Sequence, residues 1–142
     1  MQNGYTQGKD VSIDIMGPYG LISISKIMSF ESKPVVQKET KTPLNGITDT
    51  LLTPQGWEGS FKVERTDSTL DDFWARWEDD YYNGVLQNPA TITETIKESS
   101  GNVSVYRYDT VVLHLTEAGS KEGLKTISQT MSFTAARRRK VA

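Results

Sequence analysis

The sequence contains no cysteine, and His114 is the single histidine among its 142 residues. The missing thiols exclude a disulfide, a thiol nucleophile and a cysteine-based zinc site, and one imidazole cannot build a His/Cys metal centre. No apolar run approaches the roughly 18 residues that a membrane-spanning helix needs. The first residues, MQNGYTQGKD, lack the apolar core of a signal peptide. We therefore expect a chain that is made and used in a cytoplasm, or that leaves it without a signal peptide.

Motifs of catalysis and nucleotide binding are missing as well. The chain has no GxxxxGK[ST] or GxGxxG phosphate loop and no GxSxG nucleophile motif. His114 lies in a predicted strand, and no Ser-His-Asp order accompanies it, so we interpret it as structural. The carboxylates between Asp71 and Asp80 lack the spacing of a calcium loop and indicate a solvated helix face. The sequence thus predicts a protein that is not an enzyme and that has no metal or cofactor.

Charge gives little indication of a partner. The net charge of -2 provides no overall attraction to nucleic acid or anionic membrane. The length of 142 residues fits one domain, here residues 1–142. The one basic cluster is Arg137-Arg138-Arg139-Lys140, in the C-terminal segment 137–142. We interpret that segment either as a solvated tail or as a contact for phosphate or acidic protein.

Period-two alternation dominates the rest of the chain and predicts strands. Val11, Ile13 and Ile15 alternate with polar residues, and the turn sequence GPYG at 17–20 predicts a hairpin with residues 21–25. Further strands are predicted at 27–36, 56–65, 90–98, 103–116 and 125–134. Residues 37–45, QKETKTPLN, are charged and have no apolar period. They predict a long exposed loop or an extended hairpin arm.

One helix is predicted over about residues 68–82. Its apolar residues form a single stripe at helical spacing, namely Leu70, Phe73, Trp74, Trp77 and Tyr81. Ser68 is the predicted N-cap, and Gly84 is the predicted stop. We expect this aromatic stripe to cover one open face of a sheet, because its burial contributes several kcal/mol at about 25 cal/mol per Å².

The predicted strands carry long polar faces that suggest assembly. One face of 56–65 and the Ser/Thr row of 126–134 are polar and regular, whereas the opposite faces are apolar. Such two-faced strands can join neighbouring subunits into a wide barrel around water.

The order of these segments resembles the tail tube protein of contractile-tailed (myovirus-type) bacteriophages, which is related to the inner-tube proteins of type VI secretion systems and bacteriocins. The resemblance covers nearly the whole chain. It rests on GKDVSIDIMGPYGLISISKIMSFESKP, the charged arm, GWEGSFKVERTDSTLDDFWARWEDDYYNG, the hairpin from TITETIKE to VYRYDTVVLHLTE, and LKTISQTMSFTAARRR. It implies a mainly β subunit, a β-sandwich or β-barrel with one flanking helix. Such subunits form six-membered rings that stack into a hollow tube, which conducts phage DNA inside a contractile sheath.

The resemblance also implies roles for particular residues. The arm at about 33–46 and the basic run would contact neighbouring subunits or rings, through Lys33, Val35, Gln37, Lys38, Glu39, Lys41, Arg137, Arg138 and Arg139. Candidates for the lumen are Glu94, Glu98, Thr126, Ser128 and Thr130, and candidates for the sheath-facing surface are Asp72, Glu78 and Asp79. The implied partners are further copies of the chain and the sheath, baseplate, tape measure and tail terminator proteins, with DNA passing unbound and no membrane. The implied location is the virion, with assembly in the host cytoplasm.

Three alternatives stay open at this point. The chain fits the inner tube of a type VI secretion or bacteriocin particle equally well. A monomeric β-barrel of lipocalin type would bind a small ligand among the aromatic residues and would not assemble. A nucleic-acid-binding barrel would use the basic run and show strongly salt-dependent binding.

Overall fold

The computed structural model describes residues 4–22 and 27–142. A short 3-10 turn at Gly8–Asp10 is followed by eight strands and, among the described residues, one α-helix. They are β1 (Val11–Gly17), β2 (Gly20–Ile22), β3 (Ile27–Lys41), β4 (Asp49–Glu64), α1 (Thr69–Tyr82), β5 (Ala90–Lys97), β6 (Val103–Glu117), β7 (Ser128–Ala135) and β8 (Arg137–Lys140). In this described part of the chain, no helix has the length and apolar character needed to cross a membrane. The predicted mainly β fold with one flanking helix is confirmed.

The predicted hairpins are present. β1 and β2 pair across the GPYG turn, with Met16 opposite Leu21, although residues 23–25 of the predicted second strand lie outside the described residues. β3 and β4 pair along most of their length, from Ile27 opposite Val63 to Lys41 opposite Asp49. Residues 37–45 therefore belong to an extended hairpin rather than a loop, and β4 begins seven residues before the predicted strand.

All strand pairs are antiparallel, and their order is β2-β1-β5-β6-β7-β4-β3, with β8 also beside β6. β6 bends at Thr110, which has a φ of 53°. Before the bend β6 lies between β5 and β8, and after it β6 pairs with β7. The bend divides the sheet into two layers that share β6, one containing β2, β1, β5 and β8 and the other containing β7, β4 and β3.

The C-terminal basic run is a strand. Asp109 of β6 lies opposite Arg137 and Val112 lies opposite Thr134, so β7 and β8 follow β6 in a single register. From the sequence, Arg137–Lys140 is expected to be a solvated tail or a contact for phosphate or acidic protein. The structure instead shows it hydrogen-bonded to the middle of the fold, because β6 is long enough to pair with both segments.

The core lies between the two layers. Tyr108 of β6 is fully buried, and its ring lies 6.1 Å from both Phe30 of β3 and Trp57 of β4, centroid to centroid. Its hydroxyl is 2.7 Å from the Ser32 hydroxyl, and burial raises the pKa of Tyr108. Phe61 and Phe133 complete this aromatic centre. The predicted inward faces of β4 and β7 are thereby confirmed.

Helix α1 covers the core with only part of its stripe. Leu70 and Phe73 are buried, Trp74 and Trp77 are half-buried, and Tyr81 is 63% exposed. The Trp74, Trp77 and Tyr81 rings are stacked in sequence, with centroid separations of 4.7 and 5.9 Å. The stripe therefore begins in the core and ends on the surface.

The predicted C-terminal stop of the helix is correct, whereas the predicted N-cap bond of Ser68 is not formed. The Ser68 hydroxyl donates to the Asp72 carboxylate at 2.8 Å instead of capping a helix N–H, and Asp67 accepts from the Thr69 amide at 3.1 Å. At the other end Gly84 has a φ of 72°, and the Val85 amide donates to the Asp80 carbonyl at 2.8 Å. This Schellman arrangement confirms Gly84 as the predicted stop.

Candidate assembly surfaces

The outward side of the layer β6-β7-β4-β3 forms one continuous surface, which we call the polar face. A row across all four strands consists of Glu31, Ser60, Ser132 and His114, each paired with the next. The face also contains Lys33, Glu58, Lys62, Glu64, Ser128, Thr130 and Thr134. Its three glutamates exceed its two lysines, and Lys33 pairs with Glu58 at 3.2 Å. The two polar strand faces noted in the sequence are thus brought together.

The predicted lumen residues do not all lie on this face. Ser128 and Thr130 do, and the Ser128 hydroxyl donates to Glu64 at 3.2 Å. Thr126 is exposed just before β7, and Glu98 is half-exposed at the start of the turn between β5 and β6. Glu94 belongs to the other layer and is only 8% exposed.

The Glu94 carboxylate forms an ion pair with Arg138. The guanidinium donates to the carboxylate at 2.8 Å and lies over the Tyr106 ring at 3.7 Å and the Trp57 ring at 5.0 Å. A cation between aromatic faces and a carboxylate is held by both cation–π and ionic attraction. In the subunit the two side chains are therefore paired with each other, and 11% of the Glu94 side chain and 22% of the Arg138 side chain are exposed.

The other basic residues of β8 lie nearer the surface. Arg139 donates to Asp109, and this contact raises the pKa of Arg139 above its ordinary value. Arg137 is exposed. Of the three arginines predicted to contact a neighbour, Arg137 is exposed, whereas 22% of the Arg138 side chain and 42% of the Arg139 side chain are exposed.

The β3–β4 hairpin extends beyond the two layers as an exposed segment, residues 36–54, which we call the arm. Gln37, Lys38, Glu39 and Lys41 are all exposed on it. Leu44 and Ile47 near the tip are 109% and 64% exposed. Lys33 precedes the arm in β3 and lies on the polar face. Val35 lies at a register shift between Pro34 and Val36.

The four-stranded layer has two open edges. β3 pairs only with β4, and residues 112–117 of β6 pair only with β7, among the residues that the structure describes. Unpaired N–H and C=O groups along such edges are available to a strand of another chain.

The outer side of α1 is acidic. Asp72, Glu78 and Asp79 are exposed, as predicted for the sheath-facing candidates. Asp80 instead accepts a hydrogen bond from Tyr19, and partial burial together with this bond raises the pKa of Tyr19 to about 12.

The geometry gives little support to a ligand-binding barrel. The packed rings of Phe30, Phe61, Tyr108 and Phe133 fill the centre between the two layers. A hollow of about 400 Å³ at His114 opens on the polar face, beside Glu31, Ser60 and Ser132. Within residues 4–22 and 27–142 no group of three His, Cys, Asp or Glu side chains is arranged to hold a metal.

Comparison with known proteins shows similarity of structure and not of sequence. No family model matches the chain, and no curated protein matches it. A chain of the PVC sheath/tube terminator of an extracellular contractile injection system, in the extended state, matches with a TM-score of 0.61 at 12% identity, covering 92% of this chain and 93% of that one. A chain of the PVC sheath-tube complex matches at 0.58 and 11% identity, covering 92% and 88%. A chain of the native gene transfer agent virion matches at 0.54 and 14% identity, covering 97% and 100%.

These identities are low, so the likeness concerns the fold. The chain has a tail-tube-like fold, mainly β, shared with chains of contractile injection and tail particles.

Proposed function

We propose that this chain is the structural subunit of a contractile tail tube and assembles into stacked hexameric rings around a water-filled lumen. The observation that carries the proposal is the four-stranded layer, which has a polar outward face and two open edges. The strand edges of this layer have unpaired N–H and C=O groups, whereas its apolar side already packs against the core. Another copy can therefore extend the layer at its edges.

The strand directions support closure into a ring. β6, β7, β4 and β3 alternate in direction, so the two outer strands of this even-numbered layer run opposite ways. When copies share one orientation around an axis, β3 of one copy meets residues 112–117 of the next in antiparallel fashion. An uninterrupted antiparallel barrel results, whereas an odd number of strands would give a parallel junction. The number six comes from the resemblance to tail tubes and not from this geometry.

In such a ring the polar face lines the lumen. We propose Ser128 and Thr130 as lumen residues, together with the Glu58–Glu64 side of β4, and we omit Glu94 because Arg138 occupies it. Hydroxyl groups and a small excess of carboxylates favour passage of DNA without binding, since like charges repel. Thr126 and Glu98 are proposed for the rims of the ring.

Other surfaces are assigned to other contacts. The arm, with Gln37, Lys38, Glu39 and Lys41, is proposed to reach the adjacent ring, and Arg137 is proposed to contact a neighbouring subunit. The acidic side of α1 is proposed to face the sheath. The tape measure, baseplate and terminator proteins complete the proposed partners, in a virion assembled in the host cytoplasm. A type VI secretion or bacteriocin tube is the alternative within the same architecture.

The decisive experiment is negative-stain electron microscopy of the purified chain across a concentration series, with light scattering after size exclusion. Rings with a central hole, or tubes of uniform width, are expected. A species that stays monomeric at high concentration, and that baseplate or seed components also fail to assemble, would refute the proposal. Ligand screening of a monomeric barrel would then follow.

Deletion of the arm tests whether the arm is needed for the stacking of rings but not for the folding of the subunit. Residues 38–52 form the end of the hairpin and pair with no other strand among the described residues. A two-residue Asn-Gly turn can therefore replace them between Gln37 and Thr53, because the Thr53 N–H can close the turn, whereas Pro54 has no N–H. We expect a folded subunit that closes into rings but does not stack them. Normal tubes from this variant would show that the arm is not the connector between rings.

A further inference from the structure

The two sides of the arm differ in character. The pairing register places Val36, Lys38 and Thr40 on one side with Pro54, Leu52 and Thr50, and we call this side the apolar arm face. Lys38 is the only charged residue of that set. The opposite side consists of Gln37, Glu39, Lys41, Asp49, Leu51 and Thr53, which mix both signs of charge. The apolar arm face is exposed, with Val36 at 41% and Leu52 at 60%.

A second apolar surface lies where α1 ends. Tyr81, Tyr82, Val85 and Leu86, which we call the α1-end patch, are 63%, 79%, 52% and 91% exposed. The patch is rigid, because Tyr81 is stacked on Trp77 and the Schellman turn fixes the chain after the helix. Contiguous exposed apolar residues on a rigid element are typical of a protein–protein contact.

Carboxylates flank this patch without a cation. Glu78 and Asp79 lie one turn before Tyr82, on its side of the helix. The last turn of α1 contains no basic residue, and in the described part of the chain neither carboxylate has an ion-pair partner. The C-terminus of a helix carries partial negative charge, so a cation supplied from outside is favoured there.

We infer that the apolar arm face of one copy docks on the α1-end patch of another, with Lys38 between Glu78 and Asp79. Both surfaces are exposed in one subunit, so a single copy does not bring them together. Their apolar character matches, and their charges are opposite. Because the two surfaces differ and belong to the same chain, their contact is heterologous and extends from copy to copy. The inference rests on the proposed function, to which it adds the docking site of the arm. It reassigns Glu78 and Asp79 from the sheath to the arm, and Asp72 keeps its proposed place facing the sheath.

The first test uses the unmodified protein. Assemblies of mixed isotope-labelled and unlabelled chains are treated with a carbodiimide, which joins a lysine to a nearby carboxylate, and are analysed by mass spectrometry. We expect Lys38 joined to Glu78 or Asp79 in peptides that combine labelled and unlabelled chains. Tubes in which Lys38 is joined only elsewhere, or only within one chain, would overturn the inference and leave the tube intact. A chain that never assembles would overturn the proposed function and this contact together.

Charge reversal provides the second test. Lys38→Glu and Asp79→Lys should each raise the concentration needed for stacking on the order of tenfold, and the double variant should recover most of that loss. Lys41→Glu, on the opposite side of the arm, is the matched control and should change it less than about threefold. Rings should still form in all four variants, since no ring edge is altered. Equal effects of Lys38→Glu and Lys41→Glu, or no recovery in the double variant, would contradict the contact.

Discussion

Replacement of Arg138 by methionine tests the ionic and cation–π contacts that join β8 to β5 across β6. The side chains of Arg138 and Glu94 are 22% and 11% exposed and lie 2.8 Å apart. Removing one partner of a buried ion pair costs about 3–5 kcal/mol, because the remaining charge is uncompensated. Partial exposure reduces this figure, and lost cation–π contact adds about 0.5–2 kcal/mol. We therefore expect Arg138→Met to lower the free energy of unfolding by about 3 kcal/mol.

That loss is large beside the roughly 5–15 kcal/mol total stability of a domain. It is measured by urea unfolding, followed by tryptophan fluorescence and circular dichroism. The protein concentration is kept where light scattering shows single subunits, because assembly would raise the apparent stability by mass action. Arg137→Met is the matched control, since Arg137 is adjacent and exposed, and it should change stability by no more than about 0.5 kcal/mol.

A double variant identifies the cause. If the uncompensated Glu94 carboxylate is responsible, adding Glu94→Gln to Arg138→Met should restore about 1–2 kcal/mol. A loss within 0.5 kcal/mol of the Arg137→Met control would refute the argument that the contacts of Arg138 stabilise the subunit. A double variant less stable than Arg138→Met alone would refute the electrostatic explanation.

Three further predictions concern stability. The raised pKa of Tyr19, about 12 against an ordinary 10, means that the contribution of Tyr19 to stability is complete below pH 10 and is lost as pH rises from 10 to 12. Tyr19→Phe should therefore flatten that part of the stability–pH curve, and an unchanged curve would contradict the raised pKa of Tyr19. Gly59→Ala should lower the free energy of unfolding in urea by about 3 kcal/mol, because the new Cβ would lie 2.2 Å from the Glu31 carbonyl oxygen and 2.7 Å from the Phe133 ring. A variant as stable as the wild type would show that β3 and β4 separate easily at this point. Gly84→Ala should cost about 1 kcal/mol in thermal unfolding, because of its left-handed φ with open space around it, and a stabilised variant would contradict this explanation of the helix stop.

Local patterns in the sequence predicted most of the secondary structure. Side chains alternate in a strand and repeat every 3.6 residues in a helix, so the inward faces of β4 and β7 and the stripe of α1 follow from spacing alone. The α1 stop was predictable because only glycine adopts that φ without strain. The long β3–β4 hairpin was one of two interpretations of residues 37–45, and pattern could not decide between them because both leave the segment exposed.

Only the tertiary structure decided how these elements combine. Glu94 and Arg138 are 44 residues apart. The hairpin of β5 and β6 follows from the sequence, but no local period indicates that β8 lies beside β6. The basic run looked like a tail because four adjacent cations hide the alternation of a short strand. The open edges, and the joining of two polar strands into one face, depend on strand order. That order is determined by pairing between distant segments, whereas sequence periodicity reports only the geometry of the local backbone.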